Sequence, residues 1–185
     1  YNYKTGIKGT VTEIDRFKQM IYVNTGFGTF WLNPSASFAD RQFKKVPGLN
    51  MQAWGMLKTQ IESEKALFVA AAQGIYRIHN AKAHQVYAYP VVYTMHEYSA
   101  NKKYIFAGTR NGLLLLKKSR GKWELIHQFR NIKQQVRDIA EDKNGNVWIA
   151  VNYKGYIRLL RNSIQNLISG GHPPAFHVKD TANGL

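Results

Sequence analysis

Short apolar runs, separated by polar and glycine-containing turns, recur along the whole chain. In four places a glycine directly precedes a strand-like apolar run, at Gly28, Gly74, Gly112 and Gly155. Successive glycines of this set are 46, 38 and 43 residues apart. A period of roughly 40 to 45 residues is typical of four-stranded propeller blades. The spacing therefore predicts four structural repeats.

Each repeat contains three further runs around its glycine. The run just upstream is almost continuously apolar, as in a strand covered on both faces. The run before that has a looser pattern, and the run downstream of the glycine is more polar, which suits an exposed edge strand. In chain order, the runs occupy residues 11–14, 21–23 and 43–46, then 54–57, 67–70 and 86–89, then 92–95, 104–107 and 123–126, and finally 136–139, 147–150 and 176–178.

The turns support the same organisation. Asn144-Gly145 lies between the first two runs of the last repeat, and this dipeptide is a strong hairpin signal. Residues 58–64 are expected to form a longer polar loop, and residues 163–174 an irregular insertion. No segment longer than ten residues has a helical period, so the predicted class is all-β.

The predicted fold is a β-propeller fragment of about four four-stranded antiparallel blades. The blades are placed at approximately residues 7–48, 49–90, 91–130 and 131–180. A β-sandwich or barrel is the competing fold, because it also joins short strands by turns. A sandwich rarely keeps one strand-turn-strand signature at a fixed period.

Composition narrows the chemistry. The 185-residue chain has no cysteine, which excludes disulfides, thiolate metal sites and a cysteine nucleophile. Its 26 basic and 11 acidic residues give a formal net charge of +15. Such a charge attracts polyanions, although a soluble domain with a lysine-rich surface is the ordinary explanation. No nucleic-acid recognition module is present, so nucleic acid is not an expected partner.

The fourth repeat resembles a known family. Residues 136–150 and 155–159 resemble the pattern V-x-x-I-x-E-D-x-x-G-x-L-W-I-G-T-x-x-G-L-x-R of the two-component regulator propeller repeat. Gly145 and Trp148 stand at the family's glycine and tryptophan, Asn144 lies in the first turn and Gly155 in the second. Residues 105–113 keep a shorter version, and the first two repeats match only in outline. Ala150-Val151 stands where the family has Gly-Thr, which puts transfer of binding details in doubt.

The resemblance implies a sensing role rather than chemistry. In that family the propellers form the periplasmic sensor region of hybrid histidine kinases or related regulators of the inner membrane. They often recognise oligosaccharides and commonly work as dimers. The expected partners are thus a small ligand, such as an oligosaccharide or acidic glycan, and a second copy in the parent protein. Any membrane attachment is expected through segments outside this chain.

No catalytic or metal-binding constellation is recognisable. None of the six histidines has the spacing of a metal motif, and there is no nucleophile elbow or P-loop. No catalytic residue, metal or cofactor is predicted. The candidate functions, in order, are a ligand sensor, a protein-interaction scaffold, a propeller enzyme acting on acidic polysaccharide and, as a distant fourth, nucleic-acid binding.

Two features are candidates for ligand binding. Basic side chains in the third and fourth repeats offer contacts to carboxylate or sulfate groups. Aromatic faces offer stacking to sugar rings, although Trp31 and Trp148 are expected in the core, and the lysine-rich stretch most simply forms a solvated loop. The candidate ligand-binding residues are Lys117, Lys118, Arg120, Lys122 and Arg137.

Overall fold

The structure is a computed structural model that describes residues 6–119, 121–152, 155–174, 176 and 178–179. It contains four sheets, and each consists of four strands that are consecutive along the chain and paired in sequence order. The strand pairings recorded within them are antiparallel. The predicted all-β class, with four blade-like four-stranded sheets, is confirmed. The chain divides into two compact units, residues 1–92 and 93–185.

The first unit contains two sheets. Their apolar residues alternate with polar ones on the outer strands and form continuous runs on the middle strands, so the middle strands are buried on both faces. Sheet 1 comprises β1 (Val11–Phe17), β2 (Met20–Thr25), β3 (Gly28–Leu32) and β4 (Lys44–Lys45), and sheet 2 comprises β5 (Ala53–Ile61), β6 (Glu64–Ala71), β7 (Gly74–His79) and β8 (Lys82–Ala88).

Sheets 1 and 2 pack face to face. Tyr22 of sheet 1 is buried against Leu67 and Val69 of sheet 2, and the half-buried Trp31 joins the same cluster. The opposite face of sheet 1 is covered by its own connections, since Phe43 packs on Val23 there. Sheet-on-sheet burial of this kind supplies the hydrophobic stabilisation that a single small sheet lacks.

The second unit contains the other two sheets. In β11 the four consecutive leucines are all buried, because alternate side chains point to opposite faces of the strand. Sheet 3 comprises β9 (Val92–Glu97), β10 (Tyr104–Thr109), β11 (Gly112–Lys117) and β12 (Glu124–Phe129), and sheet 4 comprises β13 (Val136–Glu141), β14 (Val147–Val151), β15 (Tyr156–Leu159) and β16 (Val178–Lys179).

One core joins sheets 3 and 4. Phe106 and Leu115 of sheet 3 meet Ile149 and Ile157 of sheet 4 in a cluster of buried side chains. Ile164 of a short helix completes this core from the end of sheet 4.

The structure corrects two local predictions. Residues 58–61 are strand rather than loop, because β5 continues to Ile61 and only residues 62–63 turn into β6. Part of the predicted irregular insertion is the helix α1 (Arg161–Ile168), whose Ile164 and Leu167 are buried. The all-β class stands, since this is the one helix in the described part of the chain.

Candidate functional site

The glycines of the sequence pattern mark one end of each sheet. Gly28, Gly74 and Gly112 begin the third strand of their sheets, and Gly155 directly precedes β15. All four have positive φ, from +74° to +128°, as a tight turn between the second and third strands requires. At Gly112 a side chain would also collide with the backbone, because an added Cβ would lie 2.1 Å from the carbonyl oxygen of Ile132.

In the second unit, β9 and β13 point in the same direction, since one contact joins the beginnings of the two strands and others join their ends. Near their beginnings, the guanidinium carbon of Arg137 lies 3.9 Å from the ring centre of Tyr93. At their ends, the backbone N–H of Ser99 donates to the Glu141 carboxylate at 2.9 Å. The unit therefore has two distinct rims, one where these strands begin and one where they end.

The rim where β9 and β13 begin is named the arginine rim. It carries basic residues from the turn between β10 and β11, from the segment between β12 and β13, and from the start of β13. All four of these residues are exposed, and none makes an ion pair with a residue that the structure describes. The members of the arginine rim are Arg110, Arg130, Lys133 and Arg137.

Backbone contacts hold the arginine rim together. The close approach of Gly112 to Ile132 seats the β10–β11 turn against the segment before β13. From the other side, the Asn152 backbone N–H donates to the Gln135 carbonyl at 3.0 Å, and its side-chain amide donates to the Gln135 amide oxygen at 3.1 Å. The rim is thus built on defined turns rather than on an unattached loop.

The opposite rim, where β9 and β13 end, holds the predicted lysines and is named the lysine rim. Lys118 is not a free binding group, because its side chain is 6% exposed and pairs with Glu97. The Lys117 ammonium lies 4.0 Å from the Glu124 carboxylate, and Lys122 is exposed. Arg120 lies outside the described residues.

The structure therefore separates the predicted ligand-binding residues. Arg137 and Tyr93 lie at one rim, and Lys118 contacts Glu97 at the other. Tyr93 and Glu97 are four residue steps apart along the extended strand β9, which corresponds to about 13 Å. Lys117, Lys118 and Lys122 do not share a site with Arg137.

Glu141 at the lysine rim is an acceptor that sequence reasoning missed. Its side chain is 6% exposed, accepts hydrogen bonds from Ser99, and lies 3.3 Å from His96 Nε2. Ser99 and His96 both point to the carboxylate, whereas a nucleophilic triad needs the hydroxyl to bond the imidazole. Among the described residues this cluster ties β9 to β13 and does not form a catalytic triad.

The Asp142 turn at the lysine rim fixes Trp148. The Asp142 carboxylate accepts hydrogen bonds from the backbone N–H groups of Asn144 and Asn146, at 2.9 and 3.0 Å, and from the Trp148 indole at 2.8 Å. These donors hold the Asp142 pKa well below its usual range, with the indole as the largest cause. This network accounts for the Asp-x-Asn-Gly-Asn-x-Trp spacing of the sequence.

Trp148 lies beside a shallow depression on the outer face of sheet 4. The depression has a volume of about 260 Å³, and Trp148 and Tyr156 border it with ring centres 5.0 Å apart. Trp148 occupies the position in sheet 4 that Tyr22 occupies in sheet 1, because Trp148 pairs with Ala140 as Tyr22 pairs with Asp15. In the first unit, sheet 2 buries Tyr22. The depression therefore lies on the face of sheet 4 that corresponds to the face of sheet 1 packed against sheet 2.

Within the residues that the structure describes, no group of three or more His, Asp and Glu side chains is placed to hold a metal ion. No helix in that part of the chain has the length and apolar character needed to span a bilayer.

Four small sheets with consecutive strand order define the protein as a β-propeller segment. No protein-family model and no curated protein sequence matches the chain. Solved structures do match. The extracellular domain of BT4673 from B. thetaiotaomicron, assigned to a hybrid two-component system, has a TM-score of 0.67 at 14% identity, over 94% of this chain and 23% of that chain.

Two further structures agree. Another structure of BT4673, there assigned to a one-component system, has a TM-score of 0.66 at 14% identity, over 92% of this chain and 22% of that chain. The extracellular domain of BT3049 from B. thetaiotaomicron, assigned to a hybrid two-component system, has a TM-score of 0.63 at 17% identity, over 95% and 23%. The chain thus spans less than a quarter of each neighbour, and the resemblance to regulator propellers is confirmed at the level of the fold.

Proposed function

We propose that this chain is a segment of a non-catalytic, extracytoplasmic sensor propeller that binds a soluble ligand and passes the signal to a linked regulator. The similarity in fold to extracellular sensor domains carries the proposal, since it extends over 92–95% of the chain in three structures. The proposed location is periplasmic, and the proposed linked output is a hybrid histidine kinase or a related regulator.

The surface chemistry supports a binding role. Four exposed basic residues lie at one rim with no described ion-pair partner, on turns fixed by backbone contacts. Cations left without partners on a rigid frame are available to an external ligand. We propose a small soluble ligand of the oligosaccharide class and, in the parent protein, a homodimer.

A thermal-shift screen tests the sensor function. The purified chain is heated with a panel of neutral, carboxylated and sulfated oligosaccharides, and the midpoint of unfolding is recorded. A ligand of the folded state at about 100 times its Kd adds about 2.7 kcal/mol to the unfolding free energy, which gives an easily measured shift.

The same samples contain the control. Each sugar is analysed by chromatography after incubation, so that binding and turnover are separated. Stabilisation by an intact sugar is the expected result. Absence of any shift across the panel would remove the sensor proposal in favour of a protein-interaction scaffold, and cleavage of the sugar would assign an enzyme instead.

A further inference from the structure

The start of β13 is shaped to present a guanidinium group. The register of β13 against β14 shifts between Val136 and Asp138, so Arg137 occupies a β-bulge. Bulges redirect a side chain out of the regular alternation of the strand. The Arg137 side chain is exposed and lies over Tyr93, with its guanidinium carbon 3.9 Å from the ring centre.

Sheet 1 has a bulge at the corresponding place, with a different use. There the register shifts between Val11 and Glu13, and the bulged residue is Thr12. The Thr12 hydroxyl donates to the carbonyl of Ala53 at 2.6 Å and so links β1 to the next sheet. Arg137 makes no such backbone link among the bonds of the described residues, which leaves its donors free.

The contact with Tyr93 pre-organises the Arg137 guanidinium for binding an anion. Tyr93 is only 7% exposed and belongs to the buried core, so its ring supports the guanidinium from one side and leaves the N–H groups on the other sides available. A planar fork of N–H donors matches the two oxygens of a carboxylate or sulfate group. Because one face is already stacked, little side-chain freedom is lost when the anion binds.

The neighbouring charges leave the arginine rim unneutralised. The described part of the second unit contains five acidic residues, and four of them lie at the lysine rim, where they bond lysine, serine, histidine or backbone groups. Asp138 is the remaining one, and its Oδ1 accepts the backbone N–H of Ile139. The four basic residues of the arginine rim therefore outnumber its carboxylates.

Resting on the proposed sensor function, we infer that the arginine rim binds the carboxylate or sulfate group of an acidic oligosaccharide, with Arg137 as its main contact. Arg110, Arg130 and Lys133 supply the surrounding positive charge. An oligonucleotide is a poorer match, because single-strand binding uses exposed aromatic rings and the ring at this rim lies beneath Arg137.

Isothermal titration of the 185-residue chain at low salt tests this assignment. The probes are a tetramer of galacturonic acid, a sulfated galactan tetrasaccharide, the neutral maltotetraose and a four-base thymidine oligonucleotide. At least one acidic sugar is expected to bind more tightly than maltotetraose and the oligonucleotide. Arg137→Ala is expected to weaken that binding about tenfold or more, as for loss of a bidentate charged hydrogen bond.

Matched variants separate a site from net charge. Lys122→Ala removes the same charge from the lysine rim of the same unit and is expected to change the affinity by less than about twofold. Arg137→Lys keeps the charge but loses the planar fork, so its affinity is expected between those of Arg137→Ala and the unchanged chain. Thermal melts by circular dichroism verify that each variant is folded.

Four experimental outcomes would contradict the assignment of the arginine rim. The assignment is overturned if neither acidic sugar binds, if Lys122→Ala weakens binding as much as Arg137→Ala, or if the oligonucleotide binds equally well. Binding of maltotetraose as tight as that of the acidic sugars, and insensitive to Arg137→Ala, would also overturn it while leaving the sensor function in place. The sensor function fails separately, when no sugar of the thermal-shift panel stabilises the chain.

Discussion

Glu13 on β1 is a carboxyl group in an unfavourable environment. Its Oε2 is buried without a hydrogen-bond partner, and burial raises its pKa from 4.5 to about 7. The backbone N–H of Met56 and the Lys58 ammonium act in the opposite direction, whereas the charge of Asp15 adds to the rise. Glu13 is thus held partly in its neutral form at the contact between sheets 1 and 2.

The stability of the folded chain is expected to depend on this group. Well below pH 4.5 Glu13 is protonated in both states, so it contributes no pH dependence there. As the pH rises from 4.5 to about 7, the unfolded chain ionises first, and the unfolding free energy falls until the folded pKa is passed. Glu13→Gln is expected to remove this fall and to be more stable than the unchanged chain at pH 8, by about 1 kcal/mol after allowance for solvent screening.

Urea unfolding at pH 4 and pH 8 measures this difference. Glu62→Gln serves as the control, since Glu62 is an exposed glutamate of the same unit. An unchanged pH dependence in Glu13→Gln, or the same change in Glu62→Gln, would contradict the assigned role of Glu13.

At the residue scale, the sequence identified basic side chains but not their partners. Lys118 and Arg137 belong to one basic stretch of the sequence, yet one is paired with Glu97 and the other stacks on Tyr93. Those partners are 21 and 44 positions away, so no local pattern reveals them. The bulge that presents Arg137 depends on strand register, which is likewise a property of the folded sheet.

At the scale of elements, the turns before the third strands depend on glycine. Gly112 has φ +99°, and an added Cβ would lie 2.1 Å from the Ile132 carbonyl oxygen. Because both the backbone conformation and the space exclude a side chain, Gly112→Ala is expected to lower the unfolding free energy by about 2 kcal/mol or more. The carbonyl belongs to the backbone and cannot rotate away as a side chain would.

Gly121→Ala is the matched control for this prediction. Gly121 is exposed, has no atom within 4 Å of an added Cβ, and does not need positive φ. Denaturant unfolding is expected to show little loss for Gly121→Ala. Equal losses in the two variants would show that the turn at Gly112 is not constrained as described.

Elements with strong local signals were predictable, and those with weak signals were not. Apolar runs and turn glycines located the four sheets because both signals are local. The helix α1 has only eight residues and two buried apolar positions, Ile164 and Leu167, which is too short for a helical period to stand out. The end of β5 is polar and is held by pairing with β6, so its residues 58–61 resemble a loop in the sequence.

At the scale of the whole molecule, the repetition of small sheets determines the fold. Each sheet is too small to form a core alone and buries its apolar face against a neighbouring sheet, as Tyr22 does in the first unit and Ile149 in the second. The net charge of +15 is consistent with many basic surfaces. Among the described residues, the arginine rim differs from the lysine rim because it carries few carboxylates and because a β-bulge places Arg137 over Tyr93.

The central claim is that the chain folds as four separate sheets of consecutive strands. Backbone nuclear Overhauser effects between amide and α protons test it most directly. Cross-strand contacts are expected within each sheet, such as those between Val69 and Tyr76 and between Phe106 and Leu115, and no strand pairing is expected between β4 and β5. Continuous pairing of β4 with β5, as in a sandwich or barrel, would contradict it.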